Sequence, residues 1–85
     1  MQKHRKMLHS IFEEPVKSNL AWRDIESMLK WLGSDVREGR GSRVRVALNG
    51  VRAVFHRPHP APEASRAQIR SVRRFLIEAG VDQYR

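Results

Sequence analysis

The chain has 85 residues and carries 17 Lys and Arg against 9 Asp and Glu, a formal net charge of +8. A chain of this length makes one domain that buries only about 60–65% of its unfolded surface, so its stability margin is thin. With no cysteine, a disulfide framework, a thiolate nucleophile and a cysteine-based zinc site are excluded, and no apolar run approaches the roughly 18 residues of a membrane span. The expectation is a cytoplasmic protein with no membrane contact. Thirteen of the basic residues are Arg and four are Lys, and arginine suits phosphate forks and stacking on bases. From Arg43 onward nine basic residues stand against three acidic ones, which makes nucleic acid the first candidate partner.

Met7, Leu8, Ile11 and Phe12 recur at helical spacing, so Lys3 to Phe12 reads as a short amphipathic helix, ended by Glu13-Glu14-Pro15. Such a helix either packs on its own domain or joins two copies as a homodimer. Val16 to Leu20 reads as a linker. The next helix runs from Ala21 to Leu32 on a stripe of Trp22, Ile25, Met28, Leu29 and Leu32, with Gly33 as its stop. Trp31 lies off the centre of that stripe and is expected to be partly exposed or to cover the end of the core.

Asp35 to Glu38 is read as a strand on little more than Val36 and its position before Gly39-Arg40-Gly41. The firmest local signal is Asn49-Gly50 between two alternating segments, which predicts a hairpin with a two-residue turn. That turn fixes the register: Leu48 faces Val51, Val46 faces Ala53 and Val44 faces Phe55 on one apolar side. The other side then carries Arg43 opposite His56, Arg45 opposite Val54 and Ala47 opposite Arg52. His56 to Pro62 is a proline-rich loop. Ser65 opens the last helix with Gln68 three residues on, a capping-box pattern, and Gly80 follows its end. Ile69, Val72, Phe75, Leu76 and Ala79 share its apolar side. Arg66, Arg70, Arg73 and Arg74 form a stripe on the opposite side, with Ile77 in its middle hinting at a protein contact.

The element order is helix, helix, three strands, helix. Without the first helix this is an α+β, α-β-β-β-α architecture like that of double-stranded-RNA-binding domains. Residues 1–19 are then an N-terminal helical extension and linker, and residues 20–85 the domain.

From about Leu20 to Val81 the sequence resembles the HicA family of toxins from type II toxin-antitoxin systems. The features that carry the resemblance are Leu32-Gly33 at the end of the leading helix, Gly41-Ser42 opening the second strand, Pro58-His59 after the third, and Ala79-Gly80-Val81 closing the last helix. The resemblance implies an endoribonuclease that cleaves mRNA and is neutralised by a HicB-like antitoxin. In the family a catalytic histidine follows Gly-Ser directly; here that position is Arg43. Arginine stays protonated and cannot act as a general base. His56, across the hairpin from Arg43, is the natural substitute, and His59 matches a family position.

The sequence therefore nominates His56 and His59 as catalytic residues, and Arg40, Ser42, Arg43, Arg45, Arg52 and Arg57 as RNA-binding. Arg66, Arg70, Arg73, Arg74 and Ile77 are nominated as the antitoxin-binding face. No cofactor is expected, and the four histidines lack metal-ligand spacing, so any cleavage would be metal-independent. The alternative is a catalytically inactive HicA-like adaptor that binds RNA or protein.

Overall fold

Asn49 at φ 52° and Gly50 at φ 82° supply the two left-handed residues of a two-residue hairpin turn in the computed structural model, which describes residues 2–83. Around that turn the chain forms α1 (Lys3–Ile11), α2 (Trp22–Trp31), β1 (Asp35–Glu38), β2 (Arg43–Leu48), β3 (Val51–His56) and α3 (Arg66–Glu78). The three strands make one antiparallel sheet in the order β1-β2-β3. The fold is α+β, with the α-β-β-β-α order of a double-stranded-RNA-binding domain and one additional N-terminal helix.

The register of the hairpin is the expected one in all six pairs, from Leu48 with Val51 to Arg43 with His56. β1 joins on the other side, with Val36 opposite Val46 and Arg37 opposite Arg45. Val44, Val46, Leu48 and Phe55 are buried, and Val51 and Ala53 pack against them. α2 and α3 cover this apolar side, α2 next to β1 and α3 next to β3. Ile25, Met28, Leu29, Ile69, Val72 and Leu76 close the core, and Phe55 meets both Trp22 and Phe75 edge-on at ring separations of 5.8 Å. The opposite side of the sheet is covered by no element among the described residues.

The capping box at Ser65 and Gln68 is present in both directions. Gln68 does more than cap: its Nε2 donates to the His56 carbonyl at 2.7 Å, which ties the end of β3 to the start of α3. At the other end of the hairpin, Asn49 Nδ2 donates to the Ala79 carbonyl at 2.8 Å and satisfies one of the carbonyls left free at the end of α3.

Two segments that read as connections carry structure. Trp22 and Ala64 donate backbone bonds to the Pro62 and Leu20 carbonyls at 3.0 and 2.8 Å, forming a short bridge between the entries to α2 and α3. Val16 is buried in the same core as Leu8 and Ile11. α1 packs on α2 and α3 of its own chain, with Leu8 and Ile11 fully buried and His4 stacked on Trp31 at 5.7 Å. In this chain α1 therefore lies on its own domain, and Trp31 is half-exposed beneath it.

Candidate nucleic-acid interface

Strand alternation places every second residue of β1, β2 and β3 on the uncovered side of the sheet. Three rows result: Asp35, Ala47 and Arg52; Arg37, Arg45 and Val54; then Arg43 with His56 at the open end. Arg37 was not anticipated. Its signal was the alternation of a strand supported by a single apolar residue, too short to fix a face. Arg37 Nε donates to Asp35 at 3.0 Å, so the one carboxylate of this face among the described residues is already paired.

Among the described residues the guanidinium groups of Arg43, Arg45 and Arg52 have no hydrogen bond or ion pair, and all three side chains are exposed. Arg43 and His56 are cross-strand partners. Together with Gly39, Arg40, Arg45 and Val54 they line one shallow depression at the open end of the sheet. The turn leading into β2 is held closed by bonds from Gly39 N–H to the Arg43 carbonyl and from Arg43 N–H to the Arg40 carbonyl, at 2.9 and 3.0 Å. A Cβ on Gly39 would come within 3.0 Å of the Arg43 Cβ, so glycine there lets the turn close against Arg43. Ser42 is exposed in the same turn, and its carbonyl accepts from Arg57 N–H at 2.8 Å. His59 lies in the loop after β3, is exposed, and does not line the depression.

Arg57 differs from the other arginines nominated with it. One residue past His56, it turns to the helix side, where its guanidinium bridges two carboxylates. Nε and Nη2 reach Glu26 of α2 at 2.7 and 3.1 Å, while Nη1 and Nη2 reach Glu38 of β1 at 2.7 and 2.8 Å. Glu26 also accepts from the Trp22 indole. Hydrogen bonds to Glu38 and then Glu26 raise the guanidinium's proton affinity further, and the bond from Arg57 holds the Glu38 carboxyl below its ordinary range. With both faces of its fork occupied, Arg57 positions the ends of β1, β2 and β3 around Arg43 and His56.

The stripe on α3 also divides. Arg73 donates from Nε to the Ile11 carbonyl at 2.9 Å and from Nη2 to the Glu13 carbonyl at 2.8 Å, and pairs through Nη1 with Glu14. Arg66 Nε donates to the Val16 carbonyl at 3.3 Å. These two hold the N-terminal segment in place. Arg70, Arg74 and Ile77 stay exposed and share a second surface patch with Glu78.

Among the described residues no group of three or more His, Asp or Glu side chains gathers as a metal site would, and no helix is long and apolar enough to cross a membrane. No curated protein and no solved structure matches the chain. A family model does: that of the HicA toxin of bacterial toxin-antitoxin systems, over residues 22–81, which takes in α2, the sheet and α3. The chain therefore belongs to the HicA toxin family, whose members work against a cognate antitoxin.

Proposed function

We propose that this toxin acts on RNA, gripping the phosphate backbone on the uncovered side of its sheet and cleaving mRNA at the open end of the hairpin until an antitoxin blocks it. The observation that carries this reading is the pairing of Arg43 with His56 in one depression, with Arg40 and Arg45 beside them and, among the described residues, no protein acceptor on any of these three guanidinium groups. Unpaired, exposed guanidinium groups set along one strand and the turn before it are what a chain of phosphates recognises. Ser42, Arg52 and Arg37 extend the same surface.

In the cleavage step, His56 in its neutral form accepts the proton of a ribose 2′-hydroxyl. The 2′-oxygen bonds to phosphorus as the bond from phosphorus to the 5′-oxygen breaks, and the leaving oxygen takes a proton from solvent. Arg43, fixed in charge, stabilises the negative charge that builds on the phosphoryl oxygens. The products are a 2′,3′-cyclic phosphate and a 5′-hydroxyl. His59, exposed in the loop after β3, is the second candidate for proton transfer.

Incubating the purified chain with mRNA, beside His56→Ala and His59→Ala, tests this. Loss of cleavage in His56→Ala with retained binding supports the assignment. Cleavage that survives His56→Ala and fails in His59→Ala transfers the base to the loop. Because Arg43 replaces the histidine that family resemblance implies, a second reading has support: wild type that binds RNA and never cuts it is a binding module on a toxin scaffold.

A further inference from the structure

The sheet has two edges, and they are built differently. β1 is four residues long and carries Asp35, Arg37 and Glu38, the first two joined to each other and the third to Arg57. A short, charged strand is a common way to keep an edge from pairing. β3 is six residues long, reads Val-Arg-Ala-Val-Phe-His, and has no proline, no lysine and no bulge.

In a hairpin with a two-residue turn, the pair flanking the turn exchanges hydrogen bonds and every second pair after it does the same. Val51, Ala53 and Phe55 therefore bond to β2, a pattern continued by the bond from Arg57 N–H to the Ser42 carbonyl. Arg52, Val54 and His56 point their backbone groups outward. The His56 carbonyl is taken by Gln68. The N–H and carbonyl of Arg52 and of Val54 have no partner among the described residues.

Beside this edge runs a groove, walled on one side by Val54 and His56 and on the other by Ser71, Arg74 and Glu78 of α3. Val54 is 57% exposed at its rim, and Ile77, one helix turn beyond Arg74, is 58% exposed. Arg74 and Glu78 line the groove on the helix side, and Arg70 lies one turn back from Arg74 on α3 in the adjoining patch. A second copy, itself at +8, would bring like charges together here.

From this we infer that the outer edge of β3 receives an extended segment of the acidic antitoxin, which adds a fourth strand to the sheet and lays its carboxylates toward Arg74 and Arg70. The inference rests on the reading that an antitoxin silences this chain, and it gives that silencing a route: a strand on this edge runs beside His56, at the open end where the phosphate would be cut. Main-chain bonds supply affinity in such strand addition, and side-chain pockets supply selectivity.

The test uses the full chain and, as the probe, a purified acidic antitoxin of the HicB type. Amide hydrogen exchange is measured residue by residue with and without that protein. Expected is slowed exchange at Arg52 and Val54, with Val36 and Glu38 of the β1 edge unchanged. Two variants separate causes. Val54→Pro removes an outward N–H at an edge position that tolerates proline, and Ser71→Trp fills the groove from an exposed helix position. Each should weaken the complex about tenfold or more, the loss expected for a main-chain hydrogen bond at an interface, while melting temperatures stay close to wild type. Ser71→Trp should leave RNA affinity unchanged. A complex that forms without protecting Arg52 and Val54 overturns the edge assignment and leaves the antitoxin reading standing. Failure of the probe to bind overturns both. Protection of the same amides in the isolated chain, with a mass of two copies, would assign the edge to self-pairing instead.

Discussion

Arg57 and Arg73 lie on the helix side of this molecule, Arg43, Arg45 and Arg52 on the uncovered side of the sheet, and the same side chain serves opposite ends in the two places. Arg57 bridges Glu26 and Glu38, and Arg73 closes on two carbonyls and Glu14. Their side chains are 32% and 19% exposed. Arg43, Arg45 and Arg52 have no internal partner among the described residues. What separates the groups is whether a carboxylate or a free carbonyl stands within reach, and this depends on which way a strand or helix turns the side chain. Charge count alone does not distinguish an arginine that holds a fold from one that waits for phosphate.

The comparison can be broken first at Arg57. Replacing it by alanine leaves Glu26, only 12% exposed, facing the Trp22 indole without its countercharge, and a loss of about 3 kcal/mol is expected in a urea titration. Its pH dependence carries a sign. Glu38 is held below its ordinary value in the folded state, chiefly by the hydrogen bond from Arg57. Its contribution to stability is therefore complete above the unfolded carboxylate pKa, about 4.3, and disappears as pH falls through the lower folded value. The gap between wild type and Arg57→Ala should narrow as the pH is lowered from about 5, measured as urea midpoints. A constant gap would mean that the link to Glu38 adds nothing to folding.

Arg73→Ala comes next, with an expected loss of about 2 kcal/mol, since it removes charge-assisted bonds to the Ile11 and Glu13 carbonyls. Protease cleavage before Val16 should accelerate. Removing residues 1–14 altogether takes Leu8 and Ile11 out of the core and should lower the melting temperature further, with the number of copies per particle unchanged, because the helix packs on its own chain.

Much of this difference was legible in the sequence, and the limits follow from range. Asn49-Gly50 fixed six residue pairs, and with them the faces of Arg43, Arg45, Arg52 and His56, because a two-residue turn leaves no freedom of register. Ser65 and Gln68 marked the start of α3 for the same reason: capping acts within one turn. The partners of Arg57 and Arg73 lie 19 to 62 residues away, and no local periodicity encodes a pairing across that distance. Alternation past His56 did hold the hint that Arg57 faces the helices. A stripe on a helix surface, likewise, does not reveal which of its arginines an N-terminal segment will cover.

On the sheet side the expected effects on folding are small. Arg45→Ala should change stability by no more than about 0.5 kcal/mol, and relief of the cross-strand contact between Arg37 and Arg45 favours a slight gain. RNA affinity should fall, and the slope of log affinity against log salt should drop by about 0.7, the value for one phosphate contact on a single strand. An unchanged slope would remove Arg45 from the interface.

Arg43→His has the smallest expected effect on stability and discriminates most finely. Arg43 is exposed, has no side-chain partner among the described residues, and occupies a strand position that histidine accepts, so the melting temperature should hold. The substitution exchanges a permanent charge for a group that titrates near neutrality, directly across the hairpin from His56. If His56 is the base and Arg43 the phosphate partner, the variant should bind RNA more weakly and cut it more slowly than wild type. A variant that cuts faster than wild type at pH 7 to 8 would show the opposite assignment: the position after Gly41-Ser42 carries the base, and arginine there restrains the chemistry. The two outcomes differ in sign, and cleavage rates across pH 5 to 8 separate them.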